Sequence, residues 1–185
     1  MQCGSPVHQP HGHGASASSL RHLVTGAAAG LAVRVARESA ADLIPRFDGT
    51  TLRFTSKSAL DAPPGGGLVA GPVLLDLGDE GRLVGVTVLE ERRFWRKDTI
   101  GWALPARATP HRLDVPSGPS RGPGDALARG VEVRWDAGRK LCGVLFAEAA
   151  EPVLVALGPR AYAAIDGDAL VALLADLRGF GQVSG

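Results

Sequence analysis

A chain of 185 residues with 45% apolar and 21% charged side chains has the make-up of a folded domain and excludes a disordered polymer. Twenty basic residues against nineteen acidic ones leave a formal charge of +1, so no chain-wide field exists to hold nucleic acid or an anionic membrane. The two cysteines, Cys3 and Cys142, are too few and too distant for a disulfide framework. No apolar run is long enough to cross a bilayer, because Arg34 interrupts the best stretch, residues 23–36.

Residues 1–19, rich in Gly, Ser, Pro and His, carry almost nothing that could be buried and are expected to form a tail ahead of one domain over 20–185. His8, His11 and His13 with Cys3 are borderline-to-soft metal donors. A Gly-rich tail supplies no supporting partners for them, so no metal site is assigned. A signal-peptide reading of Arg21 and "LVTGAAAGLAV" is disfavoured by the weak hydrophobicity of that stretch, and a cytoplasmic location is expected.

From Leu20 to Ile44 the positions Leu20, Leu23, Val24, Ala27, Leu31 and Val35 follow helical spacing, whereas Leu31, Val33 and Val35 follow strand spacing. A short helix leading into a strand satisfies both. Breaks are expected at "PPGGG" (63–67) and through "TPHRLDVPSGPSRGPGD" (109–125). Between them Val73, Leu75 and Leu77 alternate up to the turn "GDEG", and the apolar residues from Leu83 to Leu89 read as a central strand buried on both faces.

The segment "VEVRWDAGRKLCGVLF" aligns with "VLLDLGDEGRLVGVTV", matching Asp136, Gly138, Leu141, Gly143 and Val144 to Asp79, Gly81, Leu83, Gly85 and Val86. Residues 71–90 and 130–148 thus read either as an internal hairpin repeat or as two hairpins obeying the same turn chemistry. At the end, Asp166 or Asp168 as cap, Leu170, Leu173, Leu174 and Leu177 as stripe and Gly179 as stop predict a helix covering the sheet. The expected fold class is α+β: a mainly antiparallel sheet, curled or barrel-like, with N-terminal and C-terminal helices.

The stretch "GPVLLDLGDEGRLVGVTVLE" resembles the signature strand, Asp-x-x-Gly turn and strand of the small bacterial proteins grouped as domain of unknown function 2283. Upstream, "VRVARESAADLIPRF" is similar to that family's opening pattern, and the two pieces bring residues 31–90 into register with the family domain. Pro45, Val35 and Ala36 depart from the pattern. The resemblance implies a compact β-rich module and no particular chemistry.

Residues able to carry chemistry are few. In "EERRFWRKD" an extended chain would put Arg93, Trp95 and Lys97 on one face and Arg92, Phe94 and Arg96 on the other, a mixture of cations and rings suited to an acidic protein partner or a nucleotide. The neighbouring Glu90 and Glu91 weaken any phosphate track, and nucleic acid is not expected. His111 stands in a Pro-flanked loop with no nucleophile beside it, and Cys142 lies among apolar strand residues as a structural thiol. Trp95, Trp102 and Trp135 could line a pocket on a curled sheet.

The sequence therefore supports a non-catalytic binding or regulatory module without cofactor. Its expected contact residues are Arg93, Trp95, Arg96, Trp102 and Trp135, and its partner is a protein or a hydrophobic small molecule. The alternative is a cofactor-independent pocket enzyme, a cyclase or isomerase acting on a hydrophobic substrate by holding it in a reactive shape.

Overall fold

A computed structural model describes residues 1, 30–37, 43–57, 66–106, 109–116 and 130–180. In chain order the strands are β1 (Leu31–Ala32), β2 (Arg34–Arg37), β3 (Leu43–Phe47), β4 (Leu52–Ser56), β5 (Gly66–Ala70), β6 (Val73–Leu77), β7 (Leu83–Val88), β8 (Arg96–Lys97) and β9 (His111–Asp114). They are followed by β10 (Glu132–Asp136), β11 (Leu141–Leu145), β12 (Val153–Gly158), β13 (Ala161–Asp166) and β14 (Ala169–Asp176). Short 3-10 turns at Asp79–Gly81 and Arg92–Phe94 complete the regular elements.

Five strands form one antiparallel sheet in the order β3-β4-β7-β6-β5, and a larger sheet runs β12-β13-β14-β11-β10-β8 with β1 added beside β14. Strands β2 and β9 pair separately, Val35 opposite Leu113. Alternation explains the smaller sheet: in β4, Leu52, Phe54 and Ser56 point inward and are buried, whereas Arg53 and Thr55 point away. Strand β7 takes the central position with only Thr87 less than buried, as its unbroken apolar run requires. Pro45 is tolerated because β3 is an edge strand of that sheet, where no ladder bond is demanded on its outer side.

The fold class differs from the expectation. Among the described residues there is no α-helix. Where a C-terminal covering helix was expected, residues 169–176 form β14, flanked by β13 on one side and by β11 and β1 on the other. The leucine spacing fits a helix, but a strand buried on both faces needs apolar residues at every position, and periodicity cannot separate the two. Of the expected N-terminal helix, residues 20–29 lie outside the described residues, and its continuation at Leu31–Arg37 is strand. Two expected breaks also hold strands: Gly66 and Gly67 begin β5, and His111–Asp114 is β9.

Strand β14 is buried on both faces, by a separate apolar cluster on each, and carries a bulge. Ala164 pairs with Ala172 and Ile165 with Leu170, leaving Val171 as the extra residue, whose carbonyl accepts the Phe146 N–H at 2.8 Å. The bulge reverses the alternation, so Leu170 joins Leu173, Ala175 and Leu177 in the main core between the sheets, while Val171, Ala172 and Leu174 face the opposite side. On that outer side Ile100 is buried and Trp102 and Leu104 pack partly, because the chain after β8 crosses the sheet there.

Both hairpins of the proposed repeat are antiparallel pairs. In the first, Leu77 faces Leu83 across five intervening residues; in the second, Asp136 faces Leu141 across four. Sequence alignment therefore equates Asp79, a turn residue, with Asp136, a strand residue.

The β3–β4 turn is held by one carboxylate. Asp48 Oδ1 accepts the N–H groups of Thr51 at 2.8 Å and Thr50 at 2.9 Å and the Thr50 hydroxyl at 2.8 Å, and these bonds, Thr51 first, lower its pKa to about 2. A carboxyl whose folded pKa is depressed stabilises the fold fully above its unfolded value of 3.8 and loses that contribution as pH falls towards 2. Asp48→Asn is accordingly expected to flatten the fall in melting temperature between pH 4 and pH 2; an acid limb identical to that of the parent would refute the assignment.

Candidate functional site

The segment Glu90–Asp98 forms a corner between the two sheets, and its geometry follows from one buried ring. Trp95 is 4% exposed, packs tilted against Phe47 at 5.8 Å between centroids, and its indole N–H donates to the Glu90 carbonyl at 2.9 Å. The 3-10 turn Arg92–Phe94 breaks the alternation expected of an extended chain, so Trp95 points into the core while the three preceding side chains point out. Arg92 lays its guanidinium over Trp135 at 4.9 Å and over Phe47 at 5.7 Å. Phe94 is 62% exposed and lies beneath Arg93 at 4.7 Å, with Arg93 also paired to Glu91 at 3.1 Å.

Strand β8 then pairs in parallel with β10, and a charge network spans that edge. Arg96 meets Glu132 at 3.0 Å and Asp98 at 3.3 Å, while Arg134 meets Glu132 at 3.1 Å and also Glu148. Partial burial opposes ionisation of Glu132, but its bonds to Arg134 and Arg96 outweigh that penalty and hold the carboxyl below the ordinary range. Arg134 is shifted upward by Glu132 and Glu148 against the same kind of penalty. Acids and bases are so evenly matched here that the edge does not form a continuous phosphate-binding track.

The expected contact residues thus divide. Arg93 and Arg96 are exposed on the corner, Trp95 is a core anchor, and Trp135 packs partly against the main core beneath Arg92. Trp102 packs on the opposite face of the larger sheet. The three tryptophans do not converge on one cavity. Cys142 is fully buried on the core face, and that burial pushes its thiol far above the usual range, against a smaller opposing effect of the Arg92 charge. His111 heads β9 opposite Arg37, its Nδ1 buried without a hydrogen-bond partner. The tail residues Cys3, His8, His11 and His13 lie outside the described residues.

Phe47 and Arg134 were not singled out from sequence, because they reach the corner through pairings distant in the chain. Arg92 stood in the flagged stretch, and only the turn geometry reveals its stacking. No helix among the described residues is long and apolar enough to cross a membrane. Comparison with known proteins gives no match to any family model, curated protein or solved structure.

Proposed function

We propose that the protein is a cytoplasmic, non-catalytic binding module that engages a protein partner through the corner Arg92–Arg96. The observation that carries this reading is Phe94, an exposed phenyl ring held outward by a turn whose next residue, Trp95, is locked in the core. A rigid exposed aromatic flanked by guanidinium groups is the composition of an interface anchor, since covering such a ring returns about 1.5–3 kcal/mol with little ordering cost. Among the described residues Arg92 has no carboxylate partner, so a partner segment offering an acidic and an apolar side chain would complete both groups. The resemblance of residues 31–90 to domain of unknown function 2283 belongs to this proposal and adds a β-rich module without assigned chemistry.

Arg93→Ala combined with Phe94→Ala is expected to weaken capture of a stoichiometric partner at least about 10-fold, with thermal stability unchanged, whereas Arg37→Ala on β2 leaves capture intact. Affinity purification followed by intact-complex mass measurement reads this directly. Equal recovery of the partner by the parent and the double variant would remove the corner as the contact surface.

A further inference from the structure

At one end of the larger sheet, three turns bring four cations near one another, and three of them, Arg139, Lys140 and Arg178, line a groove of about 670 Å³ together with Ala103, Leu104, Gly138 and Leu141. The turns are stitched by backbone bonds: Leu177 N–H donates to the Lys140 carbonyl at 2.8 Å and Asp176 N–H to the Arg160 carbonyl at 2.9 Å. Arg160 thereby stands beside the Arg178 turn, near enough for its charge to act on Asp176.

Two carboxylates accompany these four cations, and both are buried and engaged. Asp136 receives the backbone N–H groups of Ile100 at 3.1 Å and Arg139 at 3.0 Å, and Asp176 takes Nε and Nη2 of Arg178. The outward-facing charge is therefore positive.

The donors left over define what the groove can hold. Arg139 spends Nη1 on the Ile100 carbonyl and Arg178 spends Nε and Nη2 on Asp176. Lys140 Nζ, Arg139 Nη2 and Arg178 Nη1 have no protein partner among the described residues. Lys140 and Arg160 occupy left-handed turn positions, φ 53° and 64°, where glycine would relieve about 1–2 kcal/mol of backbone strain. Charged side chains are kept there at a cost in local conformational energy. Beside the cations, Ala103 and Leu104 supply accessible apolar surface, and the volume falls within the range of small-molecule sites.

The geometry points to a binding site for a small organic phosphate monoester, its phosphate against Arg139, Lys140 and Arg178 and its apolar body on Ala103 and Leu104. This site shares no residue with the Arg92–Arg96 corner and stands or falls independently of it. A phosphate monoester head, dianionic above its second pKa, suits three charged donors lining one groove, and an apolar body is required to use the apolar lining.

Backbone NMR titration of the full chain tests it, with phenyl phosphate, inorganic phosphate, phenol and a single-stranded oligothymidylate as probes. Phenyl phosphate is expected to bind saturably, shifting residues 103–104, 138–141 and 178, and at least about 10-fold tighter than inorganic phosphate, as burial of a phenyl ring implies. Lys140→Asn keeps a residue that tolerates left-handed backbone and is expected to weaken phenyl phosphate about 10-fold without loss of melting temperature. Equal affinity for phenyl phosphate and inorganic phosphate would show a charged surface without a site. Tighter, steeply salt-dependent binding of the oligothymidylate without saturable phenyl phosphate binding would show a polyanion surface instead, and either result overturns the assignment.

Discussion

Trp95→Ala is expected to destabilise the protein by about 3–5 kcal/mol, the range for truncating a large buried aromatic ring. The ring is 4% exposed, belongs to the core shared by both sheets, touches Phe47 and fixes the corner through its bond to the Glu90 carbonyl. Its removal would leave a void under Phe47 and orphan that carbonyl. Trp95→Phe retains most of the buried area and is expected to cost less, mainly the hydrogen bond at about 1 kcal/mol plus imperfect filling. Urea denaturation followed by circular dichroism gives both values. A loss below about 1 kcal/mol for the alanine variant would mean that the corner is not anchored by this ring.

Gly158→Ala is expected to be comparably damaging for the opposite reason, excess volume. A methyl group at position 158 would stand 2.8 Å from the backbone nitrogen of Leu43 and 2.9 Å from its carbonyl carbon, and closer still to its oxygen. These are backbone atoms of β3, the edge of the smaller sheet, and they cannot rotate away as a side chain would. The two sheets meet at this point, so relief requires their edges to separate, at about 3 kcal/mol, the upper end for overpacking. Gly101→Ala, whose added methyl would meet nothing within 4 Å, is the matched control and is expected to change stability by less than about 0.5 kcal/mol. Similar urea midpoints for the two variants would contradict the close approach of Gly158 and Leu43.

Strand alternation made much of the fold legible. The alternation of Val73–Leu77 and the short apolar run at Leu83–Val88 read as strands, and the turns beside them carry Gly71 and Gly81 at positive φ. The closing strand was misread through its local chemistry. "IDGDAL" places Gly167 at φ 62° in a tight turn between β13 and β14, a hairpin signal, yet the same aspartates also fit a helix cap. The leucines that follow satisfy either element, and only the neighbours β11 and β13 on both sides decide it.

At the corner, composition drew attention to the right segment, but an alternating pattern could not show that a single 3-10 turn reorients Trp95 inward and Arg92 over Trp135. The cation-lined groove was illegible because Arg139 and Lys140 lie on one turn and Arg178 on another far away in sequence, joined by the backbone bond from Leu177 N–H to the Lys140 carbonyl.

The position of β14 also orders events in time. It follows the other thirteen described strands in the chain, yet β13, β11 and β1 all pair with it. During synthesis the hairpin β10–β11 and strand β12 must emerge without the neighbour that completes their sheet, and β1 must await a partner made at nearly the opposite end of the described chain. Such long loop closures slow folding and leave strand edges bare until the end. A chain that stops before Ala169 therefore leaves an edge of β1, of β11 and of β13 without the strand that pairs with all three.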